Sequence, residues 1–250
     1  MTINRMHMGG KILSEYEALG QTLSDLLDRY RDPVGNVNYF ALLGDKAVVK
    51  YAEDLADFNL DSLKSREAQL AFWINSYNAL SIYGVVKKIK SDPGFVKKGI
   101  GNWFGRVRFF ALQRFNVGGR SFTLRSIENM MRKEFQEPRI HFALNCSTLG
   151  CPVLKDGLYS AENLENELEE AAKLYIRSNR GSWLDRDKKE LHLSLIFKWY
   201  RDDFKATGKS LIQYVAGYLP DEDADYLLNN EKVIKTRFIE YDWSLNNSDG

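Results

Sequence analysis

The stretch that decides the fold is REAQLAFWINSYNALSIYGVV, which runs from Arg66 to Val86. On a helical wheel its apolar residues fall on almost every side, and its polar residues occupy only a few positions. A helix that is apolar all round is buried, because any exposed face would place large side chains in water. We therefore predict a central helix that the rest of the chain covers. Asp92, Pro93 and Gly94 mark the end of this region.

Shorter elements surround this helix on both sides along the chain. Helical spacing of apolar residues predicts helices at 12–30, 46–59, 123–135, 164–176, 196–200, 209–218 and 222–229. Alternation or compact apolar runs predict strands at 109–118, 140–144, 190–195 and 234–242, and a turn with a short extended piece within 31–43. This pattern predicts an α+β fold: a predominantly helical single domain around a buried central helix, with a small, mostly antiparallel sheet.

Length and composition set limits on the class of protein. The chain has 250 residues and a formal net charge of +1, so it has no global attraction to nucleic acid or to membranes. Its apolar runs are too short to form a transmembrane segment. We expect one domain at 12–246. Residues 1–11 are expected to be disordered or derived from an expression vector, and residues 247–250 to form a flexible tail.

The start of the chain bears on localisation. MTINRMHMGG has no apolar signal core. The sequence therefore predicts either a cytoplasmic protein or a periplasmic or secreted one whose export signal has been removed.

Three polar residues share one narrow stripe of the central helix: Glu67, Asn75 and Asn78. Glu67 and Asn78 are eleven positions apart, which places them about 20° apart on the wheel. Burying a carboxylate and two amides costs free energy unless each finds a partner. Two interpretations remain open: the stripe bonds to neighbouring backbone and fixes a loop, or it faces a cleft.

A second polar segment is RIHFALNCSTLGCP, at 139–152. His141, Asn145 and Cys146 follow one another closely here. If the segment is a straight strand, five residues span roughly 16 Å, so His141 and Cys146 cannot form a catalytic dyad. We therefore expect His141 to meet the helix stripe, where Glu67 and His141 could act as general acid and base or form a buried ion pair.

The two cysteines, Cys146 and Cys151, bracket Ser-Thr-Leu-Gly. Several roles stay open for them: a loop-stapling disulfide or free thiols, a reactive thiol, or, with His141, part of a metal site. No cofactor is predicted, and zinc is not excluded, because histidine and cysteine suit that ion.

These segments resemble the DUF547 family, a domain of unknown function found in bacteria and plants. The resemblance rests on REAQLAFWINSYNAL (66–80), NVGGRSFTLRSIEN (116–129), RIHFALNCSTLGCP (139–152), LSLIFKWYRDDF (193–204) and YDWSLN (241–246). It implies a single domain and assigns no biochemistry. Bacterial members often carry an export signal, and plant members are often attached to coiled coils.

A more distant likeness concerns architecture. A central buried helix followed by a histidine-bearing strand is similar to the papain-like and transglutaminase-like thiol enzymes. Those enzymes place the nucleophilic cysteine at the start of the central helix. This helix has no cysteine, so the likeness implies that such thiol chemistry is absent or has moved to Cys146.

Two hypotheses of function follow. In the first, a hydrolase or acyl-transfer-like enzyme uses the predicted catalytic residues His141, Glu67, Asn75, Asn78 and Cys146. Asn145, Arg139 and Asp242 are its predicted binding residues, and Asp203 pairs with an arginine such as Arg139 or completes a site with His141.

In the second, a non-catalytic binding module uses the basic, aromatic region 95–115. Residues 87–125 hold ten Lys or Arg and one acid, with phenylalanines interleaved. A small-molecule or peptide ligand suits either hypothesis, and no nucleic-acid motif accompanies the basic residues.

Overall fold

The computed structural model describes residues 7–8, 11–12, 14–101 and 103–248, and at 7–8, 11–12, Lys98 and Trp103 it describes the backbone alone. The prediction for residues 1–11 therefore falls mostly on residues outside the described ones, 1–6 and 9–10. At the other end of the chain, Asn247 forms a β-bridge with Val37, and the Ser248 amide donates to the Val37 carbonyl at 3.1 Å.

Helices dominate the described part of the chain. They are α1 (Glu15–Tyr30), α2 (Tyr39–Leu42), α3 (Ala47–Asp57), α4 (Arg66–Ser91), α5 (Phe95–Lys98), α6 (Trp103–Arg106), α7 (Leu124–Phe135), α8 (Ile140–Ala143), α9 (Leu164–Ile176), α10 (Leu195–Trp199), α11 (Arg201–Lys205), α12 (Leu211–Ala216) and α13 (Asp221–Asn229). A 3-10 turn covers Leu60–Ser62, and a π-helix covers Val107–Leu112. None of the described helices is both long enough and apolar enough to cross a membrane.

The strands are short and form small sheets. They are β1 (His7–Met8), β2 (Lys11–Ile12), β3 (Phe115–Val117), β4 (Arg120–Phe122), β5 (Ser182–Asp185), β6 (Glu190–Ser194) and β7 (Lys235–Ile239). β1 pairs with β2, β3 with β4 and β5 with β6, all antiparallel, whereas β7 joins β6 in parallel. Gly118 and Gly119 both have positive φ and make the tight β3–β4 turn. The prediction of an α+β fold with small, mostly antiparallel sheets is confirmed.

The prediction of a buried central helix is also confirmed. α4 begins at the cap Ser65, whose hydroxyl accepts from the Ala68 amide at 3.0 Å. Every residue from Leu70 to Ile82 is buried, which follows from a sequence that is apolar on nearly all sides. α4 runs five residues past Val86 and ends at Ser91.

Three sequence predictions of extended structure are corrected. The strand predicted at 109–118 is a π-helix followed by the three-residue strand β3. The extended piece predicted within 31–43 is largely the helix α2. The strand predicted at 140–144 is the helix α8, begun by a turn in which the His141 amide donates to the Pro138 carbonyl at 3.2 Å. A four-residue apolar run fits a buried helical turn as well as a strand, so periodicity alone did not separate them.

The core has two parts, and α8 lies between them. One cluster surrounds α4 and includes Ile140 and Ala143. The other gathers α9, β6, α10 and α12 around Phe142. Because successive residues of α8 pack into different clusters, its backbone is held from two sides, and this fixes the direction in which His141 points.

Candidate functional site

A cavity of about 530 Å³ opens beside α8. Its walls come from α4, α6, the π-helix, α7, α8, the 146–152 turn, α10 and the segment after β7. The lining residues that carry most of the chemistry are Tyr77, Glu128, Arg132, His141, Cys146 and Tyr241. This volume lies within the range of roughly 300–1,000 Å³ that is typical of small-molecule sites.

One face of α7 forms the polar wall of the cavity. Arg125, Glu128, Asn129 and Arg132 line it at positions i, i+3, i+4 and i+7, which share one side of a helix. α7 starts where predicted, at the cap Thr123, whose hydroxyl accepts from the Ser126 amide at 3.1 Å. The cap sets the start of the helix and so sets which residues face the cavity.

His141 is paired with a carboxylate, and that carboxylate is held by an arginine. The Nε2 atom of His141 lies 2.7 Å from Oδ2 of Asp203. Arg132 grips the same carboxylate with two hydrogen bonds, Nε to Oδ2 at 2.6 Å and a terminal nitrogen to Oδ1 at 2.9 Å. An ionised carboxylate can only accept hydrogen bonds, so in neutral His141 the proton resides on Nε2 and Nδ1 carries the basic lone pair. No described residue forms a hydrogen bond with Nδ1.

The electrostatics of this triplet favour a charged Asp203. Burial raises the pKa of its carboxyl, but hydrogen bonds from His141 and then Arg132 outweigh burial and hold the pKa well below its usual range. The hydrogen bond to Asp203 correspondingly raises the pKa of Arg132. Asp203 therefore stays ionised as the fixed partner of His141.

Three tyrosines line the cavity together with His141: Tyr77, Tyr200 and Tyr241. Tyr200 stacks on His141 with ring centroids 3.8 Å apart, and the Arg132 guanidinium lies 5.0 Å from the centre of the Tyr200 ring. Burial, then the nearby Glu128 carboxylate, raises the pKa of Tyr200 far above its usual value. Burial likewise raises the pKa of Tyr77 and of Tyr241. All three hydroxyls therefore keep their protons and can serve as hydrogen-bond donors.

Asn78 holds the chain that leads from His141 to Cys146. Its amide nitrogen donates to the Ala143 carbonyl at 3.0 Å, and its oxygen accepts from the Asn145 amide at 2.8 Å. Asn145 is buried as well and bonds to the Pro152 carbonyl at 2.8 Å. Asn78 and Asn145 position the loop and do not line the cavity. For Asn78, this agrees with the interpretation that the helix stripe bonds to neighbouring backbone and fixes a loop.

The other residues of the predicted helix stripe lie elsewhere. Asn75 makes two hydrogen bonds to the backbone of Tyr159, at 2.8 and 3.0 Å, and does not line the cavity beside α8. Glu67 is exposed in the first turn of α4. The expected pairing of His141 with Glu67 is wrong, because that turn of α4 does not reach the cavity and Asp203 occupies the position beside the imidazole.

The predicted binding residues Arg139 and Asp242 do not line the cavity. Arg139 bonds to Glu137 and Glu165, each through two of its nitrogens, with distances of 2.7–2.8 Å. The hydrogen bonds that Arg139 donates to Glu137 and then to Glu165 raise the pKa of its guanidinium. Asp242 is exposed and accepts from the Ser244 amide at 2.8 Å. Asp203 does pair with an arginine and does contact His141, but the arginine is Arg132 and not the suggested Arg139.

Cys146 and Cys151 form a disulfide that lines the cavity. The sequence left several roles open for these two cysteines, and in the structure they form the disulfide that closes the loop between them. The straight-strand argument that separated His141 from Cys146 falls with the strand itself, because a helical turn and a bend place both residues at the same cavity. Among the residues that the structure describes, no group of three or more His, Cys, Asp or Glu side chains could hold a metal ion.

A family model described as "Protein of unknown function, DUF547" matches residues 60–176. This part of the chain is similar to the DUF547 family. No curated protein matches the chain, and no solved structure does either. The match assigns no activity to the chain.

The DUF547 segment contributes only part of the cavity. It contains α4, α7, α8 and both cysteines, and it ends at Ile176 with α9. Tyr200, Asp203, Tyr241 and Trp243 come from beyond it. The cavity thus lies between the family segment and the C-terminal third of the chain.

Several cavity residues were missed from the sequence. In YDWSLN the prediction selected Asp242, whereas its neighbours Tyr241 and Trp243 line the cavity. Alternate residues of an extended segment point the same way, so the aromatic pair could have been recognised as one face. Arg132 and Glu128 could have been found from their helical spacing on α7.

Proposed function

We propose that the chain is a hydrolase or acyl-transfer-like enzyme whose chemistry takes place in this cavity. His141 is the general acid–base group, and Asp203 orients it. The observation that carries the proposal is the 2.7 Å contact between His141 Nε2 and Asp203 Oδ2 at the wall of a cavity of about 530 Å³. A histidine fixed by a carboxylate is the arrangement that general acid–base catalysis requires.

The proton-accepting atom in this proposal is Nδ1. Asp203 holds the proton on Nε2, and Nδ1 can then take a proton from a nucleophile and return it to the leaving group. Asp203 also stabilises the imidazolium that forms in between. While Cys146 is bonded to Cys151 it has no thiolate, so in this state the nucleophile is water or a second substrate.

The charges in the cavity suit a reaction that develops negative charge. Arg106 and Arg125 line the cavity, and neither forms an ion pair with a described residue, whereas Glu128 is the one carboxylate in the described lining. The Arg106 guanidinium lies 4.4 Å from the centre of a Trp243 ring, which holds it beside the aromatic wall. A positioned guanidinium stabilises an oxyanion as it forms. A small-molecule or peptide ester or amide is the substrate class that we propose.

A matched pair of histidine variants tests the proposal. His192 also lies near a carboxylate, 3.4 Å from Glu190, but it stacks on Trp183 and does not line the cavity. With 4-nitrophenyl acetate as the probe, His141→Gln should lower kcat/KM by about 100-fold or more, the usual contribution of a general base. His192→Gln should leave kcat/KM within about twofold.

Other results would count against catalysis at this site. Equal rates for wild type and His141→Gln would refute the role of His141. A rate that falls as much in His192→Gln would show that the signal comes from elsewhere on the surface. Circular dichroism of each variant establishes that both are folded.

A second candidate function is a non-catalytic binding module that uses the region 95–115. The observation in its favour is that Arg106 and Phe110 line the cavity, while Phe104 and Leu112 are 75% and 65% exposed. Binding of benzoate, measured by calorimetry, separates the two candidates. If the chain is a binding module, Arg106→Gln should weaken benzoate binding and His141→Gln should leave it unchanged. No ester should be hydrolysed.

A further inference from the structure

The two sulfurs of the cavity disulfide have different surroundings. Cys151 is 2% exposed, whereas Cys146 is only half-buried, and both line the cavity. The backbone amide of Cys146 donates to Sγ of Cys151 at 2.9 Å. A ligand that enters the cavity therefore meets Cys146 more readily, and a hydrogen-bond donor already faces Cys151.

Two hydroxyl groups complete this polar setting. The Tyr241 hydroxyl lies 3.0 Å from Sγ of Cys151 and 3.3 Å from Sγ of Cys146. The Thr148 hydroxyl lies 3.4 Å from Cys151 and 3.2 Å from Cys146. Burial raises the pKa of Tyr241, so its hydroxyl stays a donor. The amide of Cys146 and the hydroxyl of Tyr241 together favour negative charge on Cys151.

We infer that this disulfide undergoes thiol–disulfide exchange with a small anionic thiol, with Cys146 as the sulfur attacked and Cys151 as the leaving thiolate. Exchange is fastest when the attacked sulfur is accessible and the departing thiolate is stabilised. Cys146 is the accessible sulfur, and Cys151 is the sulfur beside the hydrogen-bond donors. The favoured direction of exchange is therefore attack on Cys146 with Cys151 as the leaving thiolate. This inference goes beyond the acid–base proposal and does not depend on it.

The steps balance as a two-electron reduction. The incoming thiolate forms a bond to Sγ of Cys146, the Cys146–Cys151 bond breaks, and its electron pair goes to Cys151, which then takes a proton. A second thiolate attacks the sulfur of the first thiol, releases the small disulfide and leaves Cys146 as a thiolate. Two thiols are oxidised, and the protein disulfide is reduced to two thiols.

Charge at the cavity favours an anionic thiol. Arg106 and Arg125 add positive charge, Glu128 offsets only one of them, and the charge of Arg132 is compensated by Asp203, so the lining stays net positive. Positive lining groups raise the local concentration of an anion and the rate at which it arrives. Reduced glutathione, which is anionic, should therefore react faster than cationic cysteamine, and Arg125→Gln should narrow that difference.

The test is to trap the mixed disulfide. Wild-type protein is treated with reduced glutathione and quenched with acid, and the adduct is located by peptide mass spectrometry. We expect the adduct on Cys146. In a chain that keeps both cysteines, Tyr241→Phe should slow the exchange with glutathione about tenfold, because the leaving Cys151 thiolate loses a hydrogen-bond donor.

Two results would overturn the inference. One is an adduct on Cys151. The other is an absence of adduct in the folded protein under conditions in which the urea-unfolded chain reacts fully. Adduct mapping on wild type needs no substitution, so the outcome stands even where a variant folds poorly. Cysteamine reacting as fast as glutathione would refute the part that concerns ligand charge.

Discussion

Asn78 provides the sharpest test of how the site is built. Asn78→Ala removes a donor to the Ala143 carbonyl at 3.0 Å and an acceptor for the Asn145 amide at 2.8 Å. Both backbone groups lie in a buried stretch, where each unsatisfied polar group costs about 1–3 kcal/mol. Water entering the vacated space offsets part of this cost. We expect the free energy of unfolding to fall by about 2–4 kcal/mol.

Urea denaturation followed by circular dichroism measures this change. With a slope of about 3 kcal/mol per molar, the midpoint should fall by about 1 M urea. Asn166→Ala is the matched control, because Asn166 is exposed on α9 and, among the described residues, its side chain bonds only to that of Asn163. That variant should change the unfolding free energy by no more than about 0.5 kcal/mol.

The rate of ester hydrolysis gives a second measure of how Asn78→Ala affects the loop. If Asn78 holds the loop, Asn78→Ala should also lower ester hydrolysis, because His141 and Cys146 lose a fixed backbone between them. A loss of stability below about 1 kcal/mol would refute the assignment of Asn78 as the clamp of this loop.

Three further predictions concern residues around the site. Arg139→Gln should lower stability by about 1–3 kcal/mol, since it loses the charged hydrogen bonds to Glu137 and Glu165, yet leave hydrolysis within twofold. Glu67→Gln, at an exposed position, should change neither stability nor activity measurably. For Asp203, the folded pKa lies below the unfolded one, so its stabilisation is present above about pH 4 and is lost as the pH falls toward the folded pKa. Asp203→Asn should therefore flatten the acid limb of a stability–pH curve below about pH 4, and an unchanged limb would contradict the pairing.

The elements that sequence alone could predict are those with strong local signals. α4 is apolar on nearly all sides over more than twenty positions, and a helix of this kind is buried in the core of the protein. Thr123 and Ser194 were identifiable as caps because a hydroxyl before an apolar helical run has a defined local use, and both accept from backbone amides. α8 has only four residues, too few for periodicity to show.

The site depended on contacts between distant parts of the chain. His141 and Cys146 were identified from their residue types and do line the cavity. The partner of His141, Asp203, is 62 positions away, and no local pattern distinguishes it from Glu67 as a carboxylate partner. Only the packing of α11 against α8 and α7 makes that choice, and packing of this kind is not written in a short stretch of sequence.

The most direct test of the central claim is the protonation state of His141. In protein labelled with ¹⁵N at histidine, long-range proton–nitrogen correlation spectra distinguish the two neutral tautomers. We predict that neutral His141 carries its proton on Nε2, leaving Nδ1 unprotonated, and that Asp203→Asn shifts the signal toward a mixture. A His141 that carries its proton on Nδ1 in the wild-type protein would contradict the account, because Nδ1 could not then serve as the base.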